Sequence, residues 1–373
     1  MLKLWKHKIG WVFASLMLSL VIYQFTWMSN PDIRLVLKGD ESSLYRFVVG
    51  HLMDNAGGIY TNLREDSDKI EHTATGHQML SESTGLMMLY AVKQNRKDLF
   101  AQQYVFLNNH LMDRSGLRWV VDKANNKAVT TNATIDDLLV VRSLLLAADL
   151  WKQSEYAKKA DQIANGLWKN AQSDALLADF YNWSPAQKAD TVTASYLDLF
   201  TLKMLSMRSQ QWAAIYTSSK QLSDYAALDN GLYYKTFDLK SRTWKAQTEF
   251  NSIDFLYSAL HRAEDQIHVT ATVNFIKSQW TLNKKLANAY SVAGKEVSQD
   301  ESPAVYALAF RLLKQVNQEP ELAEGLYQRM LQLSVQDPAS PYFGGFVDLN
   351  TNEAYSFDHL QALLAESERN NYP

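Results

Sequence analysis

Beyond Asp32 the chain is governed by one pattern: apolar residues recur at helical spacing in about twelve segments, separated by short Gly, Asn, Asp and Ser breaks. The spacing predicts helices over about 41–54, 80–94, 97–112, 134–150, 154–170, 193–206, 209–223, 250–264, 267–279, 302–315, 320–333 and 356–367. No strand-rich block and no Pro/Gly/Ser linker interrupts them, and the whole chain has only seven prolines. Helices that follow one another by short turns bury their apolar faces pairwise, so the expectation is one all-α domain of six helical hairpins. Such an array stays open as a solenoid or closes into a barrel, and the lack of strict sequence repeats weakens the solenoid. Three longer connections, "MDRSGLRWVVDKANNKAVTTN", "LDNGLYYKTFDLKSRTWKAQTE" and "YFGGFVDLNTNEAYS", carry Gly, Asn and aromatics suited to short hairpins. They fall every second helix, so a closed barrel would gather them on one face, where a rigid scaffold carries its site.

The N-terminus reads differently. Lys3, Lys6 and Lys8 precede an uncharged run from Ile9 to Pro31. As a helix that run would be about 34 Å long, enough to cross a bilayer. The basic flank before it and Asp32 after it predict an N-in, C-out orientation, with Trp27 at the interface. Residues 1–31 are therefore expected to form a cytoplasmic tip and a transmembrane signal-anchor, with 32–373 outside the cell. A cleaved signal peptide competes, although the exit "YQFTWMSNPD" has no small-x-small cleavage site.

Composition removes several classes of chemistry. With no cysteine there is no disulfide framework, thiolate nucleophile or Cys-ligated metal. Leaving out the three anchor lysines, 34 basic residues face 40 acidic ones, which is no footprint for nucleic acid. No HExxH, Walker loop, GxGxxG or GxSxG is present, and His72 and His77 at i, i+5 are poorly spaced for one metal on a helix. Neither a metal nor an organic cofactor is expected. Aromatics make up 12% of the chain, enough to supply both a core and flat surfaces for stacking.

What remains is a set of acids at helix starts. Glu82 follows Ser81 at the head of "SESTGLMMLYAV"; if Ser81 caps that helix, Glu82 only complements its dipole. Asp136 and Asp137 open the apolar run "DDLLVVRSLLLAADLW", where capping by Thr134 or Asp136 leaves at most one acid surplus. Asn251 and Asp254 open "NSIDFLYSALHRAED", and Asp254 sits among Ile253, Phe255 and Leu256, where a carboxyl is pushed up unless it is paired. Three acids at the starts of alternate helices converge on one end of a closed barrel, which no single cap explains.

These residues resemble glycoside hydrolase family 8, whose members include bacterial cellulases and the endoglucanases of cellulose-synthesis operons. The family's S-E-G-x-G-Y-G-M is matched by Ser81, Glu82, Gly85 and Met88 of "SESTGLMM", and its A-[ST]-D-A-D-x-x-I-A by "ATIDDLLVV", which keeps only the second Asp, Asp137. Gly116-Leu117 with Trp119, the segment around Tyr196, and Gly231-Leu232 extend the similarity over most of 40–367. The resemblance implies an (α/α)6 barrel and an inverting hydrolysis. It makes Glu82 the general acid, and Asp137, with Asp136 and Asn251 nearby, a holder of the sugar at the cleavage point. Trp119 and Tyr196, with Tyr181 or Trp183, would stack on ring faces.

The family's base motif Y-D-A-x-R departs here: Asn251 falls at the Asp and Asp254 at the Arg. Asp254 lies one helical turn on and can reach nearly the same space, which makes it the expected base. A water held by Asn251, Asp136 or an acid elsewhere stay open. Inversion requires the two carboxyls roughly 6.5–9.5 Å apart, to admit a water. The expected substrate is a β-linked bacterial exopolysaccharide, and a synthase of the same cell is the expected partner. A barrel that binds or assembles glycan without cutting it is the rival, because the family Asp is missing.

Overall fold

The structure is a computed structural model that describes residues 41–65, 74–113, 116–122 and 127–370. Each expected helical segment forms a helix: α1 (Ser43–Phe47), α2 (Ser81–Lys93), α3 (Lys97–Phe106), α4 (Thr134–Trp151), α5 (Ser154–Asn170), α6 (Leu199–Arg208), α7 (Ala213–Ala226), α8 (Ser252–Glu264), α9 (Thr270–Asn283), α10 (Pro303–Val316), α11 (Pro320–Gln332) and α12 (Ser356–Asn370). The even-numbered helices α2, α4, α6, α8, α10 and α12 each pack on the next, and α12 packs back on α2, closing a ring. The others lie outside it, α1 on α12, α3 on α2, α5 on α4, α7 on α6 and α11 on α10. α9 lies against α8 through Phe275 and Phe255, whose ring centroids are 5.6 Å apart. This is the (α/α)6 barrel of six hairpins.

Which helices go inside follows from their residues. α10 is buried at every position from Ala304 to Leu313, and α4 is buried at Leu138, Val140, Val141, Leu144, Leu145 and Ala147, so both need neighbours on all sides. α5 instead buries a single stripe, Tyr156, Ala160, Ile163, Ala164 and Leu167, spaced for one helix face, and turns its charges outward. Gly85 permits a close approach of α2 to α4. A Cβ there would lie 2.9 Å from the Leu139 side chain and 3.2 Å from Val140.

Buried ion pairs tie inner helices: Arg142 of α4 reaches past α6 to Glu264 of α8 at 2.7 Å, and Arg311 of α10 meets Glu368 of the adjacent α12 at 3.2 Å.

Short hairpins cluster at the end where the inner helices begin. Met79–Leu80, just before α2, pairs antiparallel with Val120–Asp122, with Met79 opposite Val121. Glu249–Asn251, just before α8, pairs with Ala289–Ser291, and Thr191–Thr193 pairs with Thr236–Asp238. The hairpin in the first long connection is Val120–Asp122 with Lys127–Ala128, and that in the second is Thr236–Asp238 with Thr243–Trp244. In the third, a single antiparallel bridge joins Asp348 and Glu353. The expected anchor at 1–31 and His72 lie outside the described residues. Among the described residues no helix is long and apolar enough to cross a membrane.

Candidate active site

A cavity of about 280 Å³ opens at this end and runs down the barrel axis. Glu82, Trp119, Asp136, Tyr196, Asp254 and Tyr257 line it, with Arg142, Asp198, His261, Glu264 and Arg311 among its deeper residues. Asp254 and Glu264 are ten residues apart on one helix, so the shaft descends about 15 Å.

Glu82 is not a cap. The residue preceding α2 is Leu80, and no side chain caps that end; the Ser81 hydroxyl donates instead to Asp136 at 2.6 Å. The first-turn amides of α2 are served from the neighbouring helix, because Asp136 also accepts the Glu82 backbone N–H. Asp358 does the same for α10, accepting from Ala304 N–H at 2.9 Å and the Ser302 hydroxyl at 2.8 Å. Burial, reinforced by the charge of Asp136, pushes Glu82 up to about 8. Burial raises Asp136 too, but its bonds from Ser81 and the Glu82 N–H favour its charged form. Two adjacent buried carboxyls cannot both ionise readily, and the one with donors keeps the charge. Glu82 therefore carries the proton near neutrality.

Across the cavity, Asn251 takes the capping work on α8. Its carbonyl oxygen accepts the N–H groups of Ile253 at 2.9 Å and Asp254 at 3.3 Å. The Asp254 side chain is thereby free of capping. It is paired, as a carboxylate among apolar neighbours must be: Lys235 Nζ lies 2.8 Å from Oδ2, and the Ser195 hydroxyl 3.4 Å from Oδ1. Tyr196, between the two sides, has its hydroxyl pushed up by burial first and then by the charges of Asp136, Asp179, Glu82 and Asp254.

Asp137 and Asn251 do not line this cavity. Asp137 faces a separate pocket of about 10 Å³ shared with Gly116, Asn132, Tyr181 and Trp183, and accepts from Asn132 Nδ2 at 2.9 Å. Consecutive helical positions point about 100° apart, so only one of Asp136 and Asp137 can face the axis. The motif match selected Asp137; the carboxylate on the axis is Asp136, one position earlier. Asn251 is a cap, and Tyr181 and Trp183 belong to the Asp137 pocket.

Sequence reasoning also missed Lys235, Ser195 and the charged floor. Lys235 sits in the hairpin "YYKTFDLKS", where no periodicity marks a residue that reaches into a site. At the floor, Arg142 donates to both oxygens of Glu264 at 2.7 Å, and His261 Nδ1 lies 3.6 Å from Glu264 and 3.9 Å from Asp198. Asp198, His261 and Glu264 each bring one ligand atom within 4.8 Å of the others, the one such group among the described residues. Glu264 is already bound on both oxygens by Arg142, and Asp198 caps α6 by accepting the Thr201 N–H at 3.0 Å. Both acids thus have structural partners without an ion.

The fold is a closed (α/α)6 barrel with acids at the mouth of an axial cavity. Residues 63–349 match the family described as Glycosyl hydrolases family 8; the chain belongs to that family and is a glycosidase. A solved structure described as a novel alpha-amylase from Clostridium perfringens superposes with a TM-score of 0.82 at 30% identity, covering 89% of this chain and 99% of that one. PssZ from Listeria monocytogenes superposes with a TM-score of 0.68 at 21% identity, over 89% of this chain and 96% of PssZ. Among curated proteins, YdaJ of Bacillus subtilis (strain 168), named as a candidate lipoprotein, is 32% identical over 311 residues, 83% of this chain and 84% of its own length.

Proposed function

We propose that the protein is an inverting glycoside hydrolase acting on a β-linked exopolysaccharide at the cell surface. The observation that carries this is the pairing in one cavity of a carboxyl held protonated up to about 8, Glu82, with a carboxylate held by an ammonium at 2.8 Å, Asp254. Glu82 gives its proton to the leaving glycosidic oxygen. Asp254 takes a proton from a water that attacks the anomeric carbon from the opposite face. Asp136, beside Glu82, is the carboxylate that contacts the distorted sugar and keeps Glu82 protonated, and Trp119 and Tyr196 bear on ring faces. Proton traffic between these groups needs no metal.

Surface placement is supported by the candidate-lipoprotein relative and by the apolar run from Ile9 to Pro31. In this reading the apolar run from Ile9 to Pro31 tethers the barrel outside the cell, within reach of polymer that a synthase of the same cell extrudes. A second reading, an α-linked glucan as substrate, is favoured by the Clostridium perfringens structure at 30% identity.

Incubating residues 32–373 with β-glucans, amino-sugar exopolysaccharides and starch, and assaying new reducing ends, separates the two. Cleavage of a β-linked exopolysaccharide alone supports the first reading. Cleavage confined to starch replaces it with the second.

A further inference from the structure

We infer that Lys235 is the positioning residue of Asp254: its ammonium holds that carboxylate aimed into the cavity, at the place the attacking water must occupy. This rests on the reading of Asp254 as the base.

Lys235 is placed with care for a residue in a hairpin. Its N–H donates to Gln247 Oε1 at 2.8 Å and its carbonyl accepts the Ala194 N–H at 2.8 Å, which fixes the backbone on both sides. Its Nζ then meets Asp254 Oδ2 at 2.8 Å. The other acid within its field, Asp179, is already occupied by Thr191 and Thr193, which donate to its two oxygens at 2.6–3.0 Å.

The charges around Asp254 explain the need. Glu82 and Asp136 line the same cavity on α2 and α4, and Tyr196 and Tyr257 add phenols from the segment before α6 and from α8 itself. Arg142 and Arg311, the cations lining the cavity among the described residues, bind Glu264 and Glu368 below, and His261 faces Glu264 and Asp198. Lys235 is thus the positive charge that reaches Asp254 at the mouth. Without it, the Ser195 hydroxyl at 3.4 Å is the side-chain donor left to fix that carboxylate's rotamer.

The test is kcat and KM, determined separately, for wild type, Lys235→Met, Lys235→Arg and Asp254→Asn on whichever polysaccharide the wild type cleaves. Lys235→Met should lower kcat about tenfold or more with KM little changed, while Lys235→Arg keeps kcat near its wild-type value. Raising the salt concentration should lower the wild-type kcat in the same direction and leave that of Lys235→Met in place. A Lys235→Met kcat equal to the wild type's, or a loss carried by KM alone, overturns the inference while Asp254→Asn stays inactive. Near-normal activity in Asp254→Asn overturns the reading of Asp254 itself.

Discussion

Glu82 and Asp136 sit side by side, yet the site assigns them opposite states. Asp136 has the Ser81 hydroxyl at 2.6 Å and a backbone N–H to stabilise its charge, whereas burial and its neighbour's charge hold Glu82 protonated. A proton donor must be protonated to work, so kcat/KM should fall as pH rises through about 8, the value to which Glu82 is raised. Asp136→Asn removes the neighbouring charge and should move that alkaline limb to lower pH, besides weakening sugar binding. An unmoved limb would show that Asp136 does not tune Glu82. At this scale the sequence was legible for residue type and only partly for direction: it marked the acids at helix starts, but "DD" does not say which of two adjacent carboxylates faces the axis. That is settled by where Ser81 of the neighbouring helix stands.

Among elements, the inner ring is where small changes matter most. Gly85→Ala places a Cβ 2.9 Å from Leu139, and the overpacking should cost about 1–3 kcal/mol, read as a lower Tm in thermal unfolding. Arg142→Met strips Glu264 of its bidentate partner in a nearly dry site, with an expected loss of about 3–5 kcal/mol in denaturant unfolding. The helices themselves were readable because apolar periodicity over ten or more residues is a local signal. The hairpins were foreseen only as Gly- and Asn-bearing connections. Nothing local tells Lys235 that Asp254, nineteen positions on, will lie beneath it, since the ring and the pairing of Thr191–Thr193 with Thr236–Asp238 create that meeting.

For the whole molecule, buried titratable groups shape stability in opposite directions. Glu82 is raised from 4.5 to about 8 on folding, so the folded chain binds more protons than the unfolded one across that window and stability falls as pH rises through it. His359, buried and lowered from 6.5 to about 4, contributes stability above 6.5 that is lost as pH falls toward 4. Comparing Tm against pH for wild type and Glu82→Gln isolates the first effect. The variant should gain stability relative to wild type at pH 8–9 and not at pH 5, and parallel curves would contradict the burial of an ionisable Glu82.

The closed ring was implied by an even number of helices without strict repeats. Its closure through α12 on α2 is a contact between the two ends of the barrel that no local pattern encodes. The same closure brings Glu82 of α2 and Asp254 of α8 to one cavity, and the division of labour between them is the central claim. It is tested most directly by kcat/KM of Glu82→Gln and Asp254→Asn against wild type, on the polysaccharide the wild type cleaves, with folding verified by circular dichroism. Each substitution should lower kcat/KM by about 10²–10⁴-fold with the helical signal unchanged; near-wild-type turnover in either variant would contradict the assignment.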